Sequence, residues 1–374
     1  MRIGFDAKRI FNNQTGLGNY SRSLVKGLLK AYPENQFDLY TPEIKIFKDF
    51  LLAEPNVKRF LPDSILSKTF PGLWRNQWML RDLIKNKTQI YHGLSNELPV
   101  GIEHSGIKSV VSIHDLIFLH EPQNYSWIDR QIYQRKFKSA VSRADIVIAA
   151  SQQTKRDIIH FYGTDPNKIE VIYQDCDPAF AEIYSDEVKA AVTKKYMLPG
   201  QFILSVGTLE KRKNHLYLLK AFHQDKLEKI HLVLIGKKGD AYHEIIDFIN
   251  SNHLQKRVTL INQVDYTDLP CLFQLAYVFV YPSLLEGFGI PVLEALKSRV
   301  PVITSNCSSL PEVAGNAAIL VDPTNINEIK DALEKACFNN SLRDQLIANT
   351  GNQIKKFDGK ELATELMEVY KKLV

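Results

Sequence analysis

Short apolar, β-prone runs recur along this chain, and stretches with helical spacing separate them. Residues 3–5, 37–40, 90–92, 109–114, 146–150 and 170–173 form a first series of such runs, interrupted by helical patterns such as 20–31 and 127–142. Strands that alternate with helices in this way predict a doubly wound parallel sheet. A second series follows Pro199, at 202–206, 231–235, 258–261, 278–281, 302–304 and 318–321. The reading is therefore α/β with two domains. An N-terminal one spans about 1–180 and a C-terminal one about 195–358, with the link inside 175–199. A strongly amphipathic closing helix, about 360–374, is assigned to the first domain. At 374 residues the chain exceeds the size at which a single core stops growing, which agrees with two domains.

The pattern also shows where chemistry collects. The apolar run 277–281 ends at Pro282 and Ser283, and Glu286-Gly287-Phe288-Gly289-Ile290-Pro291-Val292-Leu293-Glu294 follows. Pro291 is pre-set for a first helical turn, so a helix should begin beside it. Its free N–H groups and partial positive charge would form an anion cradle that Gly287 and Gly289 leave open. Glu286 would sit on the approach and Glu294 in or just beyond the first turn. Their plainer role would be capping a loop and complementing the helix dipole.

Three other clusters lie at predicted strand ends, where open α/β sheets bind ligands. Thr15-Gly16-Leu17-Gly18-Asn19-Tyr20 leads into a helix, so the Gly16 and Gly18 backbone can face a phosphate or sugar. Ser21 stands where a dinucleotide fingerprint needs its third glycine, and a polar loop is expected over 8–14 where that fingerprint needs a tight turn, which argues against nicotinamide chemistry. His114-Asp115 ends the run 110–113 and can position a hydroxyl or transfer a proton, or Asp115 can cap the next turn. Glu210-Lys211-Arg212-Lys213-Asn214 follows the strand and turn 202–208, placing cations where they can grip phosphate oxygens.

Composition narrows the class. A hydrophobic share of 45% and a charged share of 24% are those of a globular protein. Cys176, Cys271, Cys307 and Cys337 show no Cys-x-x-Cys spacing, which favours reduced thiols in the cytoplasm over a disulfide frame or zinc site. No apolar run is long enough to span a membrane, and the first residues read as a strand, not a signal peptide. Residues 1–150 hold 21 Lys+Arg against 14 Asp+Glu, a surplus of +7 in a chain of net charge +5. No nucleic-acid motif accompanies that surplus. It fits an anionic substrate or membrane face, with 45–60 and 74–78 as candidate interfacial segments because they interleave basic and aromatic residues.

Together these residues resemble the retaining glycosyltransferases of family 4, whose GT-B fold has two facing Rossmann-like domains with a cleft between them. The resemblance spans nearly the whole chain. It is most specific at 286–294, at Val206-Gly207-Thr208-Leu209-Glu210-Lys211-Arg212-Lys213-Asn214 and at Ser309-Leu310-Pro311-Glu312-Val313-Ala314-Gly315, and the Gly16/Gly18 loop and His114-Asp115 also match. It implies that Glu286 contacts the donor sugar and Glu294 the donor ribose. Backbone at Phe288, Gly289 and Ile290 would hold sugar and diphosphate, Arg212 and Lys213 the diphosphate, and the Gly16–Gly18 backbone would approach it. His114 would face the reacting sugar, and the base would lie near Gln263 and Val264. Thr208 departs from members that carry Arg there, so the guanidinium role passes to Arg212. Asp175-Cys176-Asp177 mimics a metal-binding Asp-x-Asp, but its place before the link favours a turn.

The implied activity is a metal-independent, cofactor-free hexosyl transfer with retention, from a nucleotide sugar to a glycan or lipid-linked acceptor in surface polysaccharide or glycolipid synthesis. The form of 208–214 resembles mannosyltransferases that use GDP-mannose. A UDP-hexose donor, or a nucleotide-sugar epimerase or hydrolase on the same fold, is the alternative. The expected setting is cytoplasmic, with peripheral contact to an anionic membrane face.

Overall fold

The computed structural model describes residues 1–374, except for the side chain of Asp225. The chain forms two compact units, Met1–Asp175 with Phe357–Val374, and Cys176–Lys356.

The first unit is built on seven parallel strands: β1 Arg2–Asp6, β2 Gln36–Tyr40, β3 Val57–Phe60, β4 Ile90–Gly93, β5 Lys108–Ile113, β6 Ile146–Ala149 and β7 Ile169–Val171. They lie in the order β3-β2-β1-β4-β5-β6-β7. The second unit holds six, β8 Phe202–Val206, β9 His231–Ile235, β10 Val258–Ile261, β11 Val278–Tyr281, β12 Val302–Ser305 and β13 Ala318–Val321, in the order β10-β9-β8-β11-β12-β13. The central strands are buried along most of their length because helices cover both faces of a parallel sheet, which is why they read as unbroken apolar runs. In each sheet the order reverses beside the first strand, at β1/β4 and at β8/β11. Ligands of such sheets bind beyond the carboxyl ends of the strands at that reversal.

Three segments differ from the sequence reading. Residues 8–14 are not simply a polar loop, because Lys8–Asn12 is helical and buries Ile10 and Phe11. The stretch 45–60 contains the edge strand β3, whose Val-Lys-Arg-Phe sequence is too polar to read as a sheet strand. Trp74 is not interfacial. It is 2% exposed, in a π-helical turn Trp74–Trp78, and its indole N–H donates to Asp82 at 2.8 Å. Arg75 in the same turn is buried in ion pairs with Asp6 and Glu97.

The closing helix Gly359–Leu373 belongs to the first unit. Its Leu362, Ala363, Leu366, Met367 and Tyr370 enter the same core as Val25 and Leu28 of the helix Gly16–Ala31. Polar atoms are carried along: Tyr370 Oη lies 2.6 Å from His92 Nδ1, and His92 Nε2 lies 2.9 Å from Ser112 Oγ.

Candidate active site

In the second unit the loops leaving β8 and β11 converge beyond their carboxyl ends. The first carries Lys211–Lys213 as a 3-10 turn, and the second carries Glu286. Lys213 Nζ donates to Glu286 Oε1 at 2.6 Å and to Tyr281 Oη at 2.5 Å. Tyr281 Oη and Ser283 Oγ donate to the same Oε1 at 2.9 and 2.6 Å, and Arg212 Nη1 lies 2.9 Å from it. Four donors therefore fix one oxygen of Glu286, while Oε2 accepts no hydrogen bond among the described residues. Burial alone would raise this carboxyl, but the Lys213 and Arg212 cations outweigh it and hold the group at about 2. Glu286 is thus ionised, immobile, and has one oxygen for a ligand.

Arg212 is held on two sides. Its guanidinium meets Glu210 Oε1 at 2.5 Å and donates to the Leu285 carbonyl at 2.6 Å. Lys213 is buried, and desolvation pulls its pKa down against the pull of Glu286.

The glutamate loop is pinned from below. Ser309 Oγ donates to the carbonyls of Glu286 and Phe288 at 2.9 and 2.8 Å, and Ser308 Oγ accepts from the Glu286 N–H at 3.1 Å. The helix Ile290–Lys297 then starts, with Pro291 in its first turn and Gly289 as its N-cap at φ +113. That φ requires glycine, and a Cβ there would also stand 2.7 Å from Leu310 Cδ2, so the leucine methyl would have to move. The Gly289 and Ile290 N–H groups have no partner among the described residues and form the anion cradle. Phe288 is buried beside them.

Glu294 lies one turn along this helix, 6% exposed, and its carboxyl makes no hydrogen bond among the described residues. Burial, with a smaller contribution from Asp177, pushes it up to about 8. A buried acid without partners is poised to bind hydroxyls that arrive with a ligand. Val264 sits half-buried in the loop beyond the edge strand β10. Asp177 caps the turn Pro178–Ala181 by accepting from the Ala179 N–H at 3.0 Å.

In the first unit His114 follows β5 and is buried. Its Nε2 lies 2.8 Å from the Leu94 carbonyl and must donate to it, while Gln174 Nε2 donates to Nδ1 at 2.8 Å. Burial, together with Arg9, depresses its pKa to about 4 although the Leu94 bond opposes the shift, so the ring is neutral and fixed in one tautomer. That geometry orients a ligand better than it transfers a proton. The Asp115 carboxylate accepts from the Ile117 N–H at 3.2 Å, closing the next turn. Gly18 and Gly16 play different parts. A Cβ on Gly18 would lie 2.0 Å from the Asn13 carbonyl oxygen, whereas one on Gly16 would meet nothing within 4 Å. Gly18 therefore serves close packing, and Gly16 faces open space with its own N–H and that of Leu17 unpartnered among the described residues.

Tyr281, Ser283, Ser309 and Gln174 escaped sequence reasoning as site residues. Ser309 was visible only as part of the 309–315 signature. The others meet the site through tertiary packing and left no local signal.

Comparisons with known proteins agree with this geometry. Residues 15–179 match the family described as Glycosyltransferase Family 4, and residues 193–353 that described as Glycosyl transferases group 1. The chain belongs to the group 1, family 4 glycosyltransferases. The O-antigen chain mannosyltransferase B of Escherichia coli is 29% identical over the full length of both chains. The O-antigen chain mannosyltransferase RfbU of Salmonella typhimurium is 28% identical, over 89% of this glycosyltransferase and 92% of that one. Among solved structures, Anabaena HepE in complex with UDP and glucose superposes with a TM-score of 0.76 over the whole of both chains at 18% identity, a likeness of fold. The glycosyltransferase here thus has two Rossmann-like units of the GT-B kind.

Proposed function

We propose that this glycosyltransferase moves mannose from GDP-mannose to a glycan or lipid-linked acceptor in surface polysaccharide synthesis, with retention at the anomeric carbon and without a metal ion. The observation that carries the reading is the convergence of Arg212, Lys213 and the unpartnered Gly289 and Ile290 N–H groups beyond β8 and β11. The choice of mannose draws on the O-antigen mannosyltransferases to which the chain is similar.

In this reading the bond from the anomeric carbon to the diphosphate breaks, its electron pair stays on the leaving phosphate oxygen, and positive charge grows on the sugar. Arg212, Lys213 and the helix N-terminus stabilise the leaving group where water is scarce and fixed donors count most. Glu286, held through Oε1, orients the sugar with Oε2. Glu294 takes the ribose hydroxyls, and Val264 lies by the base. In the first unit the strand-end groups open to a ligand are His114, neutral and fixed by Leu94 and Gln174, and the Gly16–Leu17 backbone N–H groups. The acceptor hydroxyl attacks the same face, and its proton passes to the departing phosphate. The free cysteines are consistent with a reaction on the cytoplasmic side of a membrane.

The test is incubation with GDP-mannose or UDP-glucose, with chelator or added magnesium, while following nucleotide release against glycan acceptor and reading the product's anomeric configuration by NMR. Acceptor-dependent GDP release in chelator, giving an α-linked product, supports the proposal. UDP release alone would replace the donor. Acceptor-independent conversion would favour an epimerase or hydrolase, and a strict need for magnesium or an inverted product would refute those parts of the mechanism.

A further inference from the structure

The helix Trp127–Arg143 of the first unit is unusual for a surface helix. Trp127 is 67% exposed, and Ile128, Ile132 and Tyr133 are exposed beside it. Arg130, Arg135, Lys136, Lys138 and Arg143 are interleaved with them, and Asp129 is the helix's one acid. Lys136 and Arg143 are occupied by Glu97 and Glu103, but Arg130, Arg135 and Lys138 make no ion pair among the described residues. A second apolar group lies on the helices Ile65–Thr69 and Pro71–Leu73, where Ile65 is 85% exposed and Leu66 and Phe70 are also open, with Lys68 among them. The π-helical turn Trp74–Trp78 continues directly from these helices. Its Asn76 and Gln77 line one open pocket with Arg135, Lys136 and the Glu97 that pairs with Lys136, so the two apolar groups flank a polar pocket whose Arg135 makes no ion pair among the described residues.

We propose that this face docks on an anionic lipid bilayer. Apolar exposure alone would fit a protein partner equally well, but the core of a protein interface is depleted of charge. Here cations stand among the apolar side chains, the arrangement in which Trp and Ile enter the headgroup boundary while Lys and Arg meet anionic lipids. Of the two segments with the strongest basic and aromatic interleaving in sequence, 45–60 and 74–78, the second turns Trp74 and Arg75 inward. The docking face rests on the lipid-linked acceptor proposed above, because it would bring the first unit to the surface where such an acceptor is anchored.

The test is sedimentation of the full chain with vesicles of phosphatidylcholine alone or with phosphatidylglycerol, at low and physiological salt. Binding is expected to the anionic vesicles only, and to weaken with salt. The Trp127→Ser/Ile132→Ser and Arg135→Glu/Lys138→Glu variants should each bind about tenfold less or weaker still. Ile183→Ser, at an exposed apolar residue of the second unit, should bind as the parent does. All three should keep the parent's turnover on a water-soluble acceptor, which excludes misfolding. No binding, equal binding to neutral vesicles, or unchanged binding in both paired variants would overturn the proposal. A dimer that dissociates in Trp127→Ser/Ile132→Ser would assign the face to a second copy instead. Vesicle binding without glycosyl transfer would sink the proposed reaction and leave the docking face standing, and transfer without vesicle binding would do the reverse.

Discussion

Glu286 and Glu294 stand eight positions apart in sequence and in opposite electrostatic states. Glu286 is ionised because Lys213 and Arg212 reach it, and Glu294 keeps its proton because nothing cationic does. The two have opposite effects on stability against pH. Glu286, with a folded pKa near 2, contributes stability that is present above about pH 4 and lost as the pH falls towards 2. Glu294, raised to about 8, lets stability decline as the pH climbs from about 4 to 8, because the unfolded carboxyl ionises first. Thermal unfolding should therefore show Glu294→Gln melting about 2–4 °C above the parent near pH 9 and level with it near pH 5, although the variant binds nucleotide less well. Lys213→Ala should lower kcat/KM by about 100- to 1000-fold, as loss of a main leaving-group contact does. It should also cost on the order of 3 kcal/mol in unfolding, since a buried carboxylate loses one of its partners. Steady-state kinetics and denaturant titration check the pair of effects.

The elements show why some of this was legible in sequence. Buried parallel strands are apolar on both faces, so the central strands of both sheets could be placed, and β3 could not because an edge strand needs no such run. The helix beginning at Ile290 announced itself through Pro291 and Gly289, whose φ and close contact with Leu310 admit little else. Gly289→Ala should accordingly cost on the order of 2 kcal/mol or more and disturb donor binding, measured by unfolding and by titration. The helix Lys8–Asn12 is a single short turn with no capping side chain and gave no cue. Tyr281 and Ser283 looked like a strand end, and only the return of the β8 loop shows that they brace Glu286. Gln174, sixty positions from His114, had no local signature at all.

At the scale of the whole molecule, one sheet plan is used twice, and each copy places its polar side chains beyond the strand ends next to the reversal of order. The chain's last helix returns to the first unit and joins His92 through Tyr370. Burial depresses His92 to about 3, so it is a neutral, fully buried ring that depends on its two hydroxyl partners. Tyr370→Phe strips one of them and should destabilise the protein by about 1–2 kcal/mol with little change in nucleotide affinity, a combination that unfolding and binding measurements separate. No described helix is long and apolar enough to cross a membrane. The central claim is that Arg212, Lys213 and Glu294 bind the nucleotide of a sugar donor. Calorimetric titration of GDP and UDP, in chelator, into the parent and the Lys213→Ala and Glu294→Ala variants addresses it most directly. One nucleotide, GDP on the proposed donor, is expected to bind the parent and to bind both variants at least about tenfold more weakly. Equal affinity in parent and variants, or no binding of either nucleotide, would contradict it.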